Sequence, residues 1–416
     1  MMKMDKAARA AMLMSSLSVY SGVLGRTVAK AFYRLLCARN SPPKEFLEAW
    51  SDFFRLLCER GYSETFAQCL SEAAKFDENV FSRAAAAGRE SELTESEKNA
   101  VKRDISAIIY LSTVTPEDII RGYAYREEIA GIGELLPRWK TGRPAEEFSD
   151  EETAAEKLAA YYKSHGCGMF ARYRAFIWRE RSIEPVVYPD DISLSSLKGY
   201  DYQRGLVVEN TTSFLSGAQC NNCLLYGDRG TGKSSTVKAI LNRYYTDGLR
   251  MVELPKDRLG EFSMLVEKIA PMPLKFIIFI DDLSFGDGDR SYAQLKAVLE
   301  GGLAVRPRNT LIYATSNRRH LIKENFSDRE GDDLHRNDTM QETLSLSDRF
   351  GLSVGFSKPD KETYLMIVRS LALERNIDKD PEALVREAEK WALLRGGRSP
   401  RCARQFIAAL EAGIDF

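Results

Sequence analysis

The sequence predicts an α/β protein: a parallel β-sheet with crossover helices, preceded by an all-helical region and closed by a short helical segment. Three observations carry this. From about residue 183 onward, short β-rich runs alternate with helical stretches. One run, residues 276–280, is apolar without alternation, as expected of a strand covered on both faces. A glycine-rich turn at residues 227–234 lies between a strand-like and a helix-like run.

A chain of 416 residues is long enough for two or three domains at about 150 residues each. Apolar residues make up 44% and charged residues 29%, so the chain belongs with globular rather than disordered proteins. The 59 basic and 60 acidic side chains leave a net charge of −1, and no global field draws the protein to nucleic acid or anionic lipid. Seven cysteines, odd in number and scattered, fit a reducing compartment, and the three separated histidines exclude a His-rich metal cage. No stretch reaches the ~20 apolar residues that span a bilayer, so the expected location is cytoplasmic.

Residues 1–182 read as the helical domain. Lys3, Lys6 and Arg9 ahead of an apolar run imitate a leader peptide, but Asp5 and the serines at 15, 16, 18 and 21 favour an ordinary amphipathic helix. Thr94 with Glu97 and Ser149 with Glu152 have capping-box spacing, and Thr115 with Pro116 supplies an N-cap followed by proline. Phe170, Tyr173, Phe176, Ile177 and Trp178 interleave with Arg172, Arg174 and Arg179. This segment is read as a buried aromatic helix face with the arginines outside, in preference to a base-stacking surface.

Pro185, Pro189, Asp190 and Asp191 break the helical texture, which places a boundary at 183. The core, 183–357, offers five strands at 223–226, 249–254, 274–280, 310–315 and 352–356. Between the last two lies a polar stretch, 318–347, of a length that suggests a mobile or partner-contacting insertion. Residues 358–416 form a helical lid: Tyr364, Ile367, Val368 and Leu371 share one helix face, and Asp380 with Pro381 opens the next helix.

Gly227, Asp228, Arg229, Gly230, Thr231, Gly232, Lys233 and Ser234 satisfy the P-loop pattern, and Ser235 continues into the helix. The glycines let successive N–H groups and the helix N-terminus converge on a phosphate. Lys233 then reaches the outer phosphates and the Ser234 hydroxyl ligates magnesium. Asp281 and Asp282 end the apolar strand, Asp281 placed to hold Mg2+ and Asp282 to polarise an attacking water. Asp287 and Asp289 imitate a calcium-loop fragment but lack its other ligands. Cys220 and Cys223 have redox spacing yet read as packing cysteines.

These blocks together resemble the AAA+ ATPases, and residues 183–416 are similar to a bacterial AAA+ family labelled as a domain of unknown function. The segments carrying the resemblance are 199–203, 222–235, 279–285, 313–320 and 346–351. It implies an ASCE-division P-loop NTPase with a five-stranded sheet ordered 5-1-4-3-2 under a helical lid, using ATP and Mg2+ as a homo-oligomer. It further implies that Asn317 is the sensor-one residue, with Thr315 and Ser316 as near alternatives, and that Arg349 is an arginine finger entering a neighbouring subunit. Arg401 resembles sensor two, with Arg404 as the substitute, while Gly199 and Tyr200 resemble the loop that packs adenine. Two departures stand out. Asp282 occupies a place where many relatives carry Glu, which points to slow hydrolysis. Residues 256–260 lack the aromatic-apolar-Gly pore loop of polypeptide-threading members.

The expectation is therefore an ATPase acting on an unknown protein client, the alternative being a nucleotide-gated binding module with little turnover. Arg306, Arg308, Arg318, Arg319 and His320 leave a nucleic-acid partner open without indicating one. A GTPase lacks support because no Asn-Lys-x-Asp element follows the P-loop, and the tandem acids with Asn317 and Arg349 fit water attack better than a kinase.

Overall fold

The computed structural model describes residues 5–285, 290–300, 307–317 and 349–414. They divide into two compact units, Met1–Arg172 and Tyr173–Phe416. The stretch 318–347, Arg306, Asp287 and Asp289 lie outside the described residues.

The first unit is helical. Its core is aromatic: Phe32 packs tilted against Phe66 at 4.6 Å between ring centroids, and Phe53 meets Trp139 edge-on at 4.8 Å. Each such buried ring contributes about 1.5–3 kcal/mol. Asp5 caps the helix Lys6–Ser15, which buries Ala7, Ala8, Ala10 and Met14 on one face, as the amphipathic reading expects. Thr94 and Glu97 form the expected capping box, and Thr115 caps the helix that starts at Pro116, closing a second box with Asp118. Ser149 and Glu152 do not pair. Ser149 donates to the Glu146 carbonyl at 2.6 Å, Asp150 captures the Glu152 N–H at 3.2 Å, and the helix begins at Ala154. The nearer carboxylate outcompetes the expected cap.

The second unit is built on seven strands: β1 Ala175–Arg179, β2 Ser182–Pro185, β3 Cys223–Gly227, β4 Leu249–Glu253, β5 Lys275–Ile280, β6 Thr310–Ser316 and β7 Leu352–Phe356. Their order is β2-β1-β4-β5-β6-β3-β7. All neighbours run parallel except β1 and β2. The five expected strands keep the order 5-1-4-3-2, but the sheet has seven strands, not five.

The helical reading of residues 170–178 holds for Phe170 to Arg172, in the helix Gly168–Arg172, but the two extra strands correct it from Ala175 on. Phe176 and Trp178 are buried at 2% and 1% exposure. They alternate with Ile177 and Arg179, which is period two rather than 3.6. Phe176 pairs with Val252, so β1 extends the sheet beyond β4, and the division between units falls after Arg172 rather than at 183. With these two rings inside the sheet, they are not open for bases to stack on.

Helix Lys233–Tyr244 lays Val237, Ile240 and Leu241 on one sheet face against Leu225, Met251, Phe279 and Tyr313. Helices Lys361–Glu374, Pro381–Leu394 and Pro400–Glu411 follow β7 and share a core of their own, with Tyr364, Ile367, Val368 and Leu371 facing inward. Among the described residues no helix is long and apolar enough to cross a membrane. All seven cysteines are free, and Cys223 is fully buried in β3.

Candidate functional site

Because the strands are parallel, the chain leaves β3, β5 and β6 at one edge of the sheet, and the candidate site assembles there. Gly227 ends β3 with φ +125°, and a Cβ on it would stand 2.3 Å from the Phe356 carbonyl oxygen, so only glycine lets the loop begin against β7. The Asp228 N–H donates to that same carbonyl at 3.0 Å, and its carboxylate accepts from the Lys358 N–H at 2.8 Å. Thr231 donates to the Asp228 carbonyl at 2.8 Å. Gly230 and Gly232 are left-handed, φ +77° and +98°, and Gly232 opens the helix that carries Lys233, Ser234 and Ser235. Arg229 points its bulk to solvent.

Lys233 is 6% exposed. Its Nζ donates to the carbonyls of Gly227 and Asp228 at 2.8 and 2.7 Å and to Asn317 Oδ1 at 3.3 Å. Burial pulls its pKa below the ordinary lysine value, opposed by Asp228, Asp282 and Asp281 and assisted by Arg401. Ser234 donates to Asp281 Oδ1 at 2.7 Å, and the Thr315 hydroxyl bonds to the same oxygen. Asn317 donates through Nδ2 to Asp282 Oδ1. The three polar residues that end β6 thus take separate partners: Thr315 meets Asp281, Ser316 donates to the Leu283 carbonyl at 2.7 Å, and Asn317 bridges Asp282 to Lys233.

The C-terminal helices reach the same loop. Ser399 caps helix Pro400–Glu411, and the Arg401 N–H donates to the Gly230 carbonyl at 3.1 Å. Beside it lies an apolar cavity lined by Leu197, Tyr200, Phe356, Ile367, Leu371 and Pro400, which also borders Thr231 and Gly232. Arg404 is exposed over the residue as a whole yet lines this cavity, and burial followed by Arg401 lowers its pKa. Gly199 and Tyr200 are both left-handed, φ +75° and +59°. A Cβ on Gly199 would lie 3.1 Å from Ile367, and the Tyr200 hydroxyl donates to the Ser357 carbonyl at 2.5 Å. Burial, then Asp228, pushes the Tyr200 pKa up to about 12, so the phenol stays neutral.

Arg349 is not part of this constellation. Leu352 donates to the Asn222 carbonyl at 3.2 Å, and Gly351 lies against Asn221, which sets Arg349 at the level where β3 begins. The length of β3 then separates it from Gly227, roughly 15 Å or more at 3.3 Å per residue. There Arg349 pairs with Glu300.

Sequence reasoning did not single out Glu253, Phe356 or Leu197. Glu253 ends β4, next to β5, and burial followed by Asp281 raises its pKa while Lys238 lowers it. Its position at a strand end was the available signal. Ile367 and Leu371 were legible as an apolar helix face, but not as the wall of a cavity.

A family profile described as "Protein of unknown function (DUF815)" matches residues 171–414, more than half of the chain. No curated protein matches. Among solved structures, the Thermotoga maritima RuvB Holliday junction branch migration motor aligns at 15% identity over 54% of this chain and 67% of that one, with a TM-score of 0.37. A mutant of the same Thermotoga maritima protein aligns at 15% identity and a TM-score of 0.37, over 53% of this chain and 65% of its own length. At these values the likeness extends to no residue role.

Proposed function

The chain belongs to the DUF815 family of proteins of unknown function, and from that premise we propose that it is a Mg2+-dependent ATPase of the AAA+ type whose site is completed by a second copy. The observation that carries this reading is the convergence of Lys233, Ser234, Asp281, Asp282 and Asn317 in one hydrogen-bonded cluster at the strand ends.

The donor set fits magnesium. Ser234 Oγ and Asp281 Oδ1, 2.7 Å apart, are hard oxygen ligands of the kind Mg2+ prefers, with room left in its shell for water and phosphate. Bound there, the ion would neutralise phosphate charge. Lys233 and the backbone N–H groups after Gly230 grip the phosphates, and the cavity beside Tyr200, Ile367 and Leu371 takes the base. Asp282 accepts the proton of the attacking water while Asn317 fixes the carboxylate's direction. Arg401 and Arg404 extend from the lid, so binding draws the lid and the P-loop together. Arg349, at the opposite sheet edge, acts in a neighbour's site, where it offsets charge on the transferred phosphoryl group. The helical first unit carries the response to an unknown protein client, and the working location is the cytoplasm.

Turnover per chain should rise with protein concentration through the range in which copies associate. A rate per chain that stays flat across that range contradicts the shared site. Tight ATP binding with negligible turnover even in the assembled state would favour a nucleotide-gated binding module.

A further inference from the structure

Of the three polar residues that end β6 and bond the turn carrying both carboxylates, one residue touches every position of it. Thr315, in β6, is 2% exposed. Its hydroxyl donates to Asp281 Oδ1, and the hydroxyl oxygen Oγ1 accepts the Asp282 N–H at 3.0 Å, which Asp281 Oδ1 shares at 3.1 Å. Its carbonyl accepts the Leu283 N–H at 2.7 Å. Residues 281, 282 and 283 are therefore each tied to Thr315. The grip coincides with unusual backbone: Asp282 has φ +52°, left-handed for a residue that has a Cβ. That conformation is unfavourable for an ordinary residue, and Asp and Asn adopt it more readily than Glu.

We propose that Thr315 is a positioning residue. Its hydroxyl holds the 281–282 turn left-handed, directing Asp281 to Ser234 and Asp282 to Asn317, and the short acid at 282 is the side chain matched to that turn. Aspartate in place of glutamate is then a fit to the backbone rather than a defect. The turnover consequences rest on the ATPase reading, but the grip itself does not.

The test compares wild type with Thr315→Val, which keeps the shape and removes the hydroxyl, Thr315→Ser, which keeps the hydroxyl, and Asp282→Glu. Thr315→Val should lower kcat and raise the magnesium concentration for half-saturation, each by about tenfold or more, as loss of a partner to a metal-holding carboxylate does. The KM for ATP should stay within about threefold, and Thr315→Ser should restore both quantities to within about threefold. Asp282→Glu should turn over more slowly than wild type. Thr315→Val that matches wild type in kcat and magnesium dependence, Thr315→Ser that fails as badly as Val, or Asp282→Glu that outruns wild type would overturn the proposal.

Hydrogen exchange on the unsubstituted chain tests the grip even if a variant does not fold. The Asp282 amide should exchange about a hundredfold more slowly than an open loop amide, and free exchange would overturn the proposal. Wild type that neither binds nor turns over Mg-ATP would refute the ATPase reading while leaving the exchange result to decide the role of Thr315.

Discussion

The two edges of the one parallel sheet carry different chemistry. At the edge where β3, β5 and β6 end, Lys233, Asp281, Asp282 and Asn317 come from segments up to 84 residues apart and meet through hydrogen bonds. At the edge where β3 and β7 begin, Arg349 pairs with Glu300, a strand length away from its own chain's P-loop. Parallel strands make this separation unavoidable, because residues that follow strands and residues that precede them lie a strand length apart. Under the proposed ATPase reading, a site that uses groups from both edges draws them from two copies.

The largest expected effect tests that inference. Arg349→Ala should lower turnover by about a thousandfold while ATP binding persists. Lys233→Ala should be inactive for the opposite reason, and mixing the two variants should recover part of the activity, since an intact cradle can then face an intact arginine. Steady-state rates of the mixture check this. Arg349→Ala that matches wild type would reduce Arg349 to the partner of Glu300, and two variants that are each inactive and stay inactive when mixed would contradict the shared site.

A second contrast lies within the phosphate edge itself. Gly227→Ala drives a Cβ against the Phe356 carbonyl, whereas nothing lies within 4 Å of a Cβ on Gly232. The first should destabilise by about 3 kcal/mol through clash and strain together, the second by only about 1 kcal/mol through strain. Thermal melting of both variants measures the difference, and equal losses would mean that the loop does not press on β7 as described.

The smallest effect is one of pH. Burial lowers the Lys233 pKa, so its ammonium is lost at a lower pH than in a free lysine. ATP affinity should therefore begin to weaken below the range in which free lysine titrates. The fold responds with the opposite sign: between the lowered value and the free-lysine range the buried charge is gone, and the contribution of Lys233 to stability rises with pH. Affinity that falls while the melting temperature holds or rises, both followed by calorimetry across the alkaline range, would fit. A parallel fall in both would point to general unfolding.

Much of this site was legible in the sequence because its parts are local and chemically specific. The P-loop needs glycines and lysine at fixed spacing, and Asp281 and Asp282 follow an apolar run too uniform to be other than a central strand. What was illegible depends on neighbours. Phe170 to Trp178 has apolar residues at spacings that suit either period, and only the vacant side of β4 decides that Phe176 and Trp178 form a strand. Ser149 and Glu152 had the spacing of a cap, but Asp150 lay nearer to the same amide. The direction of Thr315, Ser316 and Asn317 also depends on β5 beside them, so the sequence could name three candidates for one role and not divide the roles among them.

The central claim is that a triphosphate seats on Lys233 with magnesium at Ser234 and Asp281. Calorimetric titration of Mg-ATP into folded wild-type protein should give saturable heat that is lost in Lys233→Ala and weakened when magnesium is chelated. The absence of heat from wild type, or unchanged heat from Lys233→Ala, would contradict it.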